Sequence, residues 1–147
     1  MDFMRILYIT DALAVWGGIE RVLVDKMNYL VEYYGYNVHI VTTDQGPHTI
    51  PYPLDERVHV KDLNIRYHHQ YQFRGIKRIL KYLELNRLFI SRLKMTISEI
   101  KPDVIVCIRI ESINTIIKAK GKIPLICESH SMFYAYQYEK ASLWNRL

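Results

Sequence analysis

Trp16-Gly17-Gly18-Ile19-Glu20-Arg21 is the stretch of this chain whose residue types point most directly at ligand chemistry. Two glycines let the backbone come close to a ligand. A helix starting there would turn its unbonded N–H groups and positive dipole end toward a phosphate or carboxylate. No Gly-x-Gly-x-x-Gly and no Gly-x-x-x-x-Gly-Lys occurs, which argues against a nicotinamide or P-loop enzyme. The plain alternative for Gly17 and Gly18 is a turn. Glu20 and Arg21 fall in the first helical turn, where Glu20 can simply complement the dipole and Arg21 pair locally. Glu111 and Glu128 invite a glycosidase reading with one acid and one nucleophile, but such a hydrolase has no need of a Gly-Gly helix start. The six histidines, His68-His69 among them, show no spacing matched to carboxylates or cysteines, so no metal site is expected. Cys107 and Cys127 lie in separate apolar runs and read as two core thiols.

These residues need elements to position them. Arg5 to Thr10 is a short apolar run with the look of a buried strand. Ile19, Val22, Leu23, Met27 and Leu30 then recur at helical spacing, and Gly35 stands where a left-handed cap would end the helix. Asn37 to Thr43 reads as a second strand, which completes a βαβ unit with parallel strands. Residues 44–57 carry three Pro and break both periods, so they form a loop. Val58 to Leu63 reads as a third strand and Arg74 to Ile100 as a helix. The apolar pattern slips near Asn86, which leaves a break there open, and Pro102 stops the helix. Asp103 to Ile108 and Ile123 to Cys127 read as further strands, with a helix between them capped by Ser112 and ending at Lys120. Residues 133–147 look helical, with Leu143, Trp144 and Leu147 on them. Strands alternating with helices give an open, doubly wound parallel α/β sheet, Rossmann-like, in which ligands bind beyond the carboxyl ends of the strands. Those ends are Asp11 to Gly18, Thr43-Asp44, Arg109 to Ser112 and Glu128-Ser129-His130.

At 147 residues, 50% apolar and 24% charged, the chain suits one globular domain and is too short for two. No stretch approaches the ~20 apolar residues that span a bilayer. No secretory h-region can be drawn after Arg5, which places the protein in the cytoplasm as an expectation. The net charge of +5 is uneven: from Arg66 to Lys101, nine Lys or Arg face only Glu84 and Glu99, leaving the remainder slightly acidic.

Met4-Arg-Ile-Leu-Tyr-Ile-Thr10, then Gly-Gly-Ile-Glu-Arg21, then Gly35-Tyr-Asn-Val-His-Ile-Val-Thr42 resemble the N-terminal domain of retaining glycosyltransferases of the GT-B fold, family 4. The likeness continues through Lys101-Pro-Asp-Val-Ile105 and Ile123-Pro-Leu-Ile-Cys-Glu-Ser-His130. Gly-Gly-x-Glu-Arg is its most specific part; the rest are general α/β patterns. The resemblance implies a hexosyltransferase-type enzyme moving a sugar from a nucleotide-sugar donor, with no further cofactor, to a polysaccharide or lipid-linked acceptor held mainly by this domain. It places Gly17, Gly18, Glu20, Arg21 and Glu128 at the substrate and donor phosphate. His130 falls where family members turn a histidine toward the transferred sugar. A neutral imidazole there can hold a hydroxyl or support charge in an oxocarbenium-like transition state. A loop histidine bonded to backbone is the plain alternative. Family members also carry a C-terminal nucleotide-sugar domain with a Glu, seven residues, Glu motif, which nothing in this chain matches. The chain is therefore expected to be one half of a GT-B enzyme and inactive alone.

Arg74, Lys77, Arg78 and Lys81 fall at i, i+3, i+4 and i+7 on one helical face, with Ile76, Ile79, Leu80 and Leu83 on the other. A solvated surface helix, an interfacial helix on anionic lipid at the inner membrane face, and nucleic-acid binding compete for this segment; no reader motif accompanies the charge, so nucleic acid is not expected. Tyr67, Tyr71 and Phe73 before the helix fit either a headgroup region or an ordinary core. A non-catalytic ligand-binding or assembly domain, recruiting a partner through Leu143, Trp144 and Leu147, remains the second reading of the whole chain. A receiver-type signalling domain is disfavoured, because Asp11 lacks an acidic neighbour and no Lys follows the fifth strand.

Overall fold

The computed structural model describes residues 3–108 and 113–130. Within them run five strands, β1 (Arg5–Thr10), β2 (Asn37–Thr42), β3 (His59–Asp62), β4 (Val104–Cys107) and β5 (Leu125–Cys127). Three α-helices join them: α1 (Gly18–Tyr34), α2 (Gly75–Ile100) and α3 (Ile113–Lys120). All pairings are parallel and the strand order is β3-β2-β1-β4-β5. The strand order reverses between β1 and β4, the place where open α/β sheets form their ligand crevice.

β1 takes the centre because both its faces are apolar. Ile6 and Tyr8 face one core with Leu23, Val24, Met27 and Val31 of α1; Leu7 and Ile9 face the other with Leu85, Phe89, Leu93 and Ile97 of α2 and Ile116 of α3. A strand covered on both sides reads as a continuous apolar run rather than an alternation. α1 ends at Gly35, whose φ of 63° is left-handed and whose N–H donates to the Val31 carbonyl at 3.1 Å. α2 ends on a left-handed Lys101 just before Pro102.

Residues 44–57 are a loop as expected, β1 spans the residues expected of it, and the other four strands are a residue or two shorter at their ends than the sequence suggests. Three features differ. α2 runs unbroken through Asn86. A 3-10 helix, Tyr67–Gln72, stands where no element is expected, and only its Tyr67 packs on the core. Cys107 is buried, but Cys127 is exposed, on β5, the outer strand of the sheet among the described residues. The Ser112 cap, Arg109, Glu111 and the helix expected over 133–147 with Leu143, Trp144 and Leu147 lie outside the described residues. Among the described residues no helix is long and apolar enough to cross a membrane.

Candidate functional site at the carboxyl edge of the sheet

The parallel strands send α1 back from the carboxyl edge, so its N-terminus stands at the same end of the sheet as Asp11, Thr43 and Glu128. Gly17 is the N-cap, with extended backbone and no side chain to cap with. Its carbonyl accepts from the Arg21 N–H and from the Tyr52 hydroxyl, both at 3.1 Å, which ties the helix start to the 44–57 loop. Glu20 folds back over this turn. A Cβ built on Gly17 would run into Glu20 Oε2, so a side chain here would have to push the Glu20 carboxylate aside. Glu at this third helical position complements the dipole as in a capping box. At Gly18 a Cβ would meet nothing within 4 Å, so the space beside this first helical residue is open. Arg21 points elsewhere, making a 3.8 Å ion pair with Asp25 on the exposed side of α1.

Glu128 and His130 form a second group, beyond the end of β5. The Glu128 N–H donates to the Cys107 carbonyl at 2.8 Å, continuing the β4–β5 ladder for one more residue. Its carboxylate takes both oxygens to Lys26 Nζ of α1 at 2.8 Å, and Oε2 also stands 3.4 Å from His130 Nε2. The side chains of Glu128 and His130 are each 22% exposed, although His130 as a whole residue is exposed. Tyr8 lies near this group, its phenol pushed up to about 12 by burial with the Glu128 charge adding to the effect. It stays neutral at any working pH. Glu128 is thus an anion already paired with a cation, suited to holding His130 rather than to meeting a phosphate itself.

A third group lies on the β2 side. The Thr43 and Asp44 N–H groups both donate to the Asp11 carbonyl, at 3.0 and 2.9 Å. The Thr43 hydroxyl donates to Asp44 Oδ2 at 2.8 Å, and Asp44 Oδ1 stands 3.3 Å from Nδ1 of His68 in the 3-10 helix. Tyr67 beside it donates to Asn86 Oδ1 at 2.8 Å, and its phenol is raised by burial first and by the Tyr82, Asp44 and Asp11 charges after that. Gln45 is buried, accepting from the Leu13 N–H at 2.7 Å and donating to the His48 carbonyl at 2.8 Å. It fastens the loop after β1 to the loop after β2. Among the described residues no three or more His, Cys, Asp or Glu side chains gather as a metal site would require.

Three helix-start residues and a strand-end pair thus share one edge of a doubly wound sheet. The family description Glycosyltransferase Family 4 matches residues 16–147. The chain belongs to that family. Comparison with curated proteins finds no match. In this family 4 domain the matched span opens on Trp16, so it takes in Gly17, Gly18, Glu20, Arg21, Glu128 and His130, and leaves β1 outside.

The structure brings Gly17 to Glu20 and Glu128 to His130, and sets Arg21 apart on a solvent-facing pair. Lys26, Asp44, His68 and Gln45 are the residues of this edge that reading the sequence missed as partners. Only Asp44 carried a signal, by ending a strand. Of the basic residues, Arg74 is the N-cap of α2, Lys77 and Arg78 are exposed beyond it, and Lys81 pairs with Glu84 at 3.0 Å.

Proposed function

We propose that this chain is the acceptor-side half of a glycosyltransferase that moves a hexosyl group from a nucleotide-sugar donor to a polysaccharide or lipid-linked acceptor. The observation that carries the reading is the His130–Glu128–Lys26 chain of contacts, built at the carboxyl edge of a family 4 domain. Lys26 holds Glu128 by both oxygens, and Glu128 Oε2 lies 3.4 Å from His130 Nε2. An imidazole so held presents its other nitrogen to a sugar hydroxyl, and the neighbouring carboxylate favours positive charge developing close by. The open backbone at Gly18 supports approach of a phosphate or hydroxyl to the α1 N-terminus, with Glu20 swinging aside.

On this reading the nucleotide binds chiefly to a second, C-terminal domain of a GT-B enzyme, and the two halves close over the edge described above. The site belongs in the cytoplasm, where nucleotide sugars are available. The test combines this chain with a separately expressed candidate C-terminal domain from the same genome and assays hydrolysis and transfer over a panel of nucleotide sugars. Activity with both halves that vanishes on His130→Ala supports the proposal and names the donor. Transfer by the 147-residue chain alone overturns the half-enzyme part of it. The Glu20 carboxylate lying over the helix start favours one competing reading, a non-catalytic ligand-binding or assembly domain. Silence across the panel, with the two halves shown to associate and Gly17 and His130 variants without effect, selects that reading.

A further inference from the structure

The chain has two cysteines, and the fold sets them side by side. Cys107 is the last residue of β4 and Cys127 the last of β5, and the two are register partners in the parallel ladder. Side chains alternate between faces along a strand, so Cys127 shares the face of Leu125, which packs with Ile105 and Cys107 on the core under α2 and α3. Both thiols therefore leave the sheet on the same side. The Glu128 N–H, bonded to the Cys107 carbonyl at 2.8 Å, holds the register at this end. Burial accounts for Cys107 as a small apolar residue of the core. It does not account for Cys127, which is exposed.

Neighbouring strands lie about 4.8 Å apart. Cα atoms at that spacing fall within the ~4.4–6.8 Å range of bonded cysteines, while Cβ atoms leaving the sheet side by side stand wider than the ~3.8 Å that a relaxed disulfide prefers. A bond between the two sulfurs thus needs only a small closing of β5 onto β4, and it stores strain. β5 is the strand to make that movement, being the outer one among the described residues. Strained disulfides are the readily reduced, reversible ones rather than permanent staples. The exposures also set an order. Cys127 meets solvent, whereas Cys107, at 1% exposure, is reached only through its neighbour.

We propose that Cys127 is a site of reversible oxidation by peroxides and that Cys107 resolves it as an intrachain disulfide. The Cys127 sulfur attacks a peroxide oxygen and the O–O bond breaks. Sulfur gives up two electrons and becomes a sulfenic acid, while the other oxygen takes the thiol proton and leaves as water or an alcohol. The Cys107 sulfur then attacks the sulfenic sulfur, the S–O bond breaks, and the hydroxyl departs as water with the Cys107 proton. Two thiols and one peroxide thus give one disulfide, one water and one further water or alcohol. A small external thiol reverses the step by attacking the exposed Cys127 sulfur, which releases Cys107 first. Because Glu128 directly follows Cys127, closing β5 onto β4 moves the carboxylate that Lys26 holds, so the oxidation state is felt at the candidate site. The proposal does not rest on sugar transfer.

Intact-mass spectrometry of the full chain tests it. The folded, reduced chain is treated with excess hydrogen peroxide, quenched, unfolded and alkylated. The expected product has lost two hydrogens, accepts no alkyl group, gives a linked Cys107–Cys127 peptide on digestion, and recovers both thiols with dithiothreitol. Cysteines held side by side meet at an effective concentration of about millimolar or above, so with the chain at about 10 μM the bond within one chain should outnumber Cys127 bonds between chains by about a hundredfold. Cys127→Ser changes an exposed position and should keep its fold, and its Cys107 should still alkylate fully after the same treatment. Thiols that survive the peroxide, Cys127 carried on to a sulfinic acid while Cys107 stays a thiol, or a majority of chain-to-chain dimers overturns the proposal. So does loss of the Cys107 thiol in Cys127→Ser as fast as in the unaltered chain, since Cys107 would then react without its neighbour.

Discussion

Lys26 Nζ lies 2.8 Å from each carboxylate oxygen of Glu128, across 102 residues of sequence. The bond joins the middle of α1 to the residue after β5 and so ties the helix that follows β1 to the outer strand on the β4 side of the sheet. Lys26→Met leaves Glu128 mostly covered with only the His130 ring beside it. The expected cost is about 1–2 kcal/mol, read from chemical unfolding. Lys26→Met/Glu128→Gln should recover part of that loss, because no charge is then stranded; a double variant no more stable than the single one would show that the pair contributes little.

Gly17 and Gly18 should respond in opposite directions. Gly17→Ala pushes the Glu20 carboxylate off the helix start and is expected to lower stability by a few tenths to about 1 kcal/mol, an effect that Glu20→Ala in the same chain removes. Gly18→Ala meets nothing and should raise stability by about 0.5 kcal/mol through helix propensity. In the two-domain transfer assay Gly18→Ala should nevertheless lower activity. Full activity there would mean that no ligand uses this open space.

Gln45 fastens two carboxyl-edge loops from inside the fold. Gln45→Leu leaves the buried Leu13 N–H without its acceptor, and the expected loss is about 1–3 kcal/mol. Hydrogen exchange at Leu13 should accelerate well beyond that at Ile6 or Leu7. Equal acceleration across β1 would instead signal global loosening.

His39 and His59, register partners on β2 and β3, stack with ring centroids 4.6 Å apart. Burial first and the His59 ring second hold the His39 pKa below its ordinary value. The unfolded chain then binds this proton more readily than the folded one, so this stability is present above about pH 6.5 and is lost as pH falls from there toward the lowered value. Melting at pH 7.5 and pH 5.5 should show the drop, and His39→Gln should shrink it. An unchanged pH difference in the variant would assign the effect to other groups.

Much of the frame is legible because its determinants are local. Gly35 ends α1 by its own left-handed backbone, Pro102 bars α2 from continuing, and the unbroken apolar run of β1 announces a strand covered on both faces. The site is less legible. Lys26 looks like any solvent-facing lysine until the fold brings Glu128 to it, and Asp44 meets His68 only because the 3-10 helix lies beside the end of β2. Cys127 shows the same limit from the other side. An apolar run marks a strand but does not say whether another strand lies beyond it, and among the described residues β5 is the outer strand. The slip at Asn86 was visible in the pattern, yet only the structure shows that the helix runs through it.

The position of β1 between β2 and β4 has a consequence for the chain during synthesis. Its pairing with β2 closes within the first 42 residues, a local step that can precede the rest. Its other edge waits for residues 104–107, with Ile6 to Ile9 presented to water as an unpaired apolar ribbon. Until the ribosome has delivered β4, this half-built sheet is the species most exposed to pairing with a wrong neighbour, and the one on which a chaperone would act.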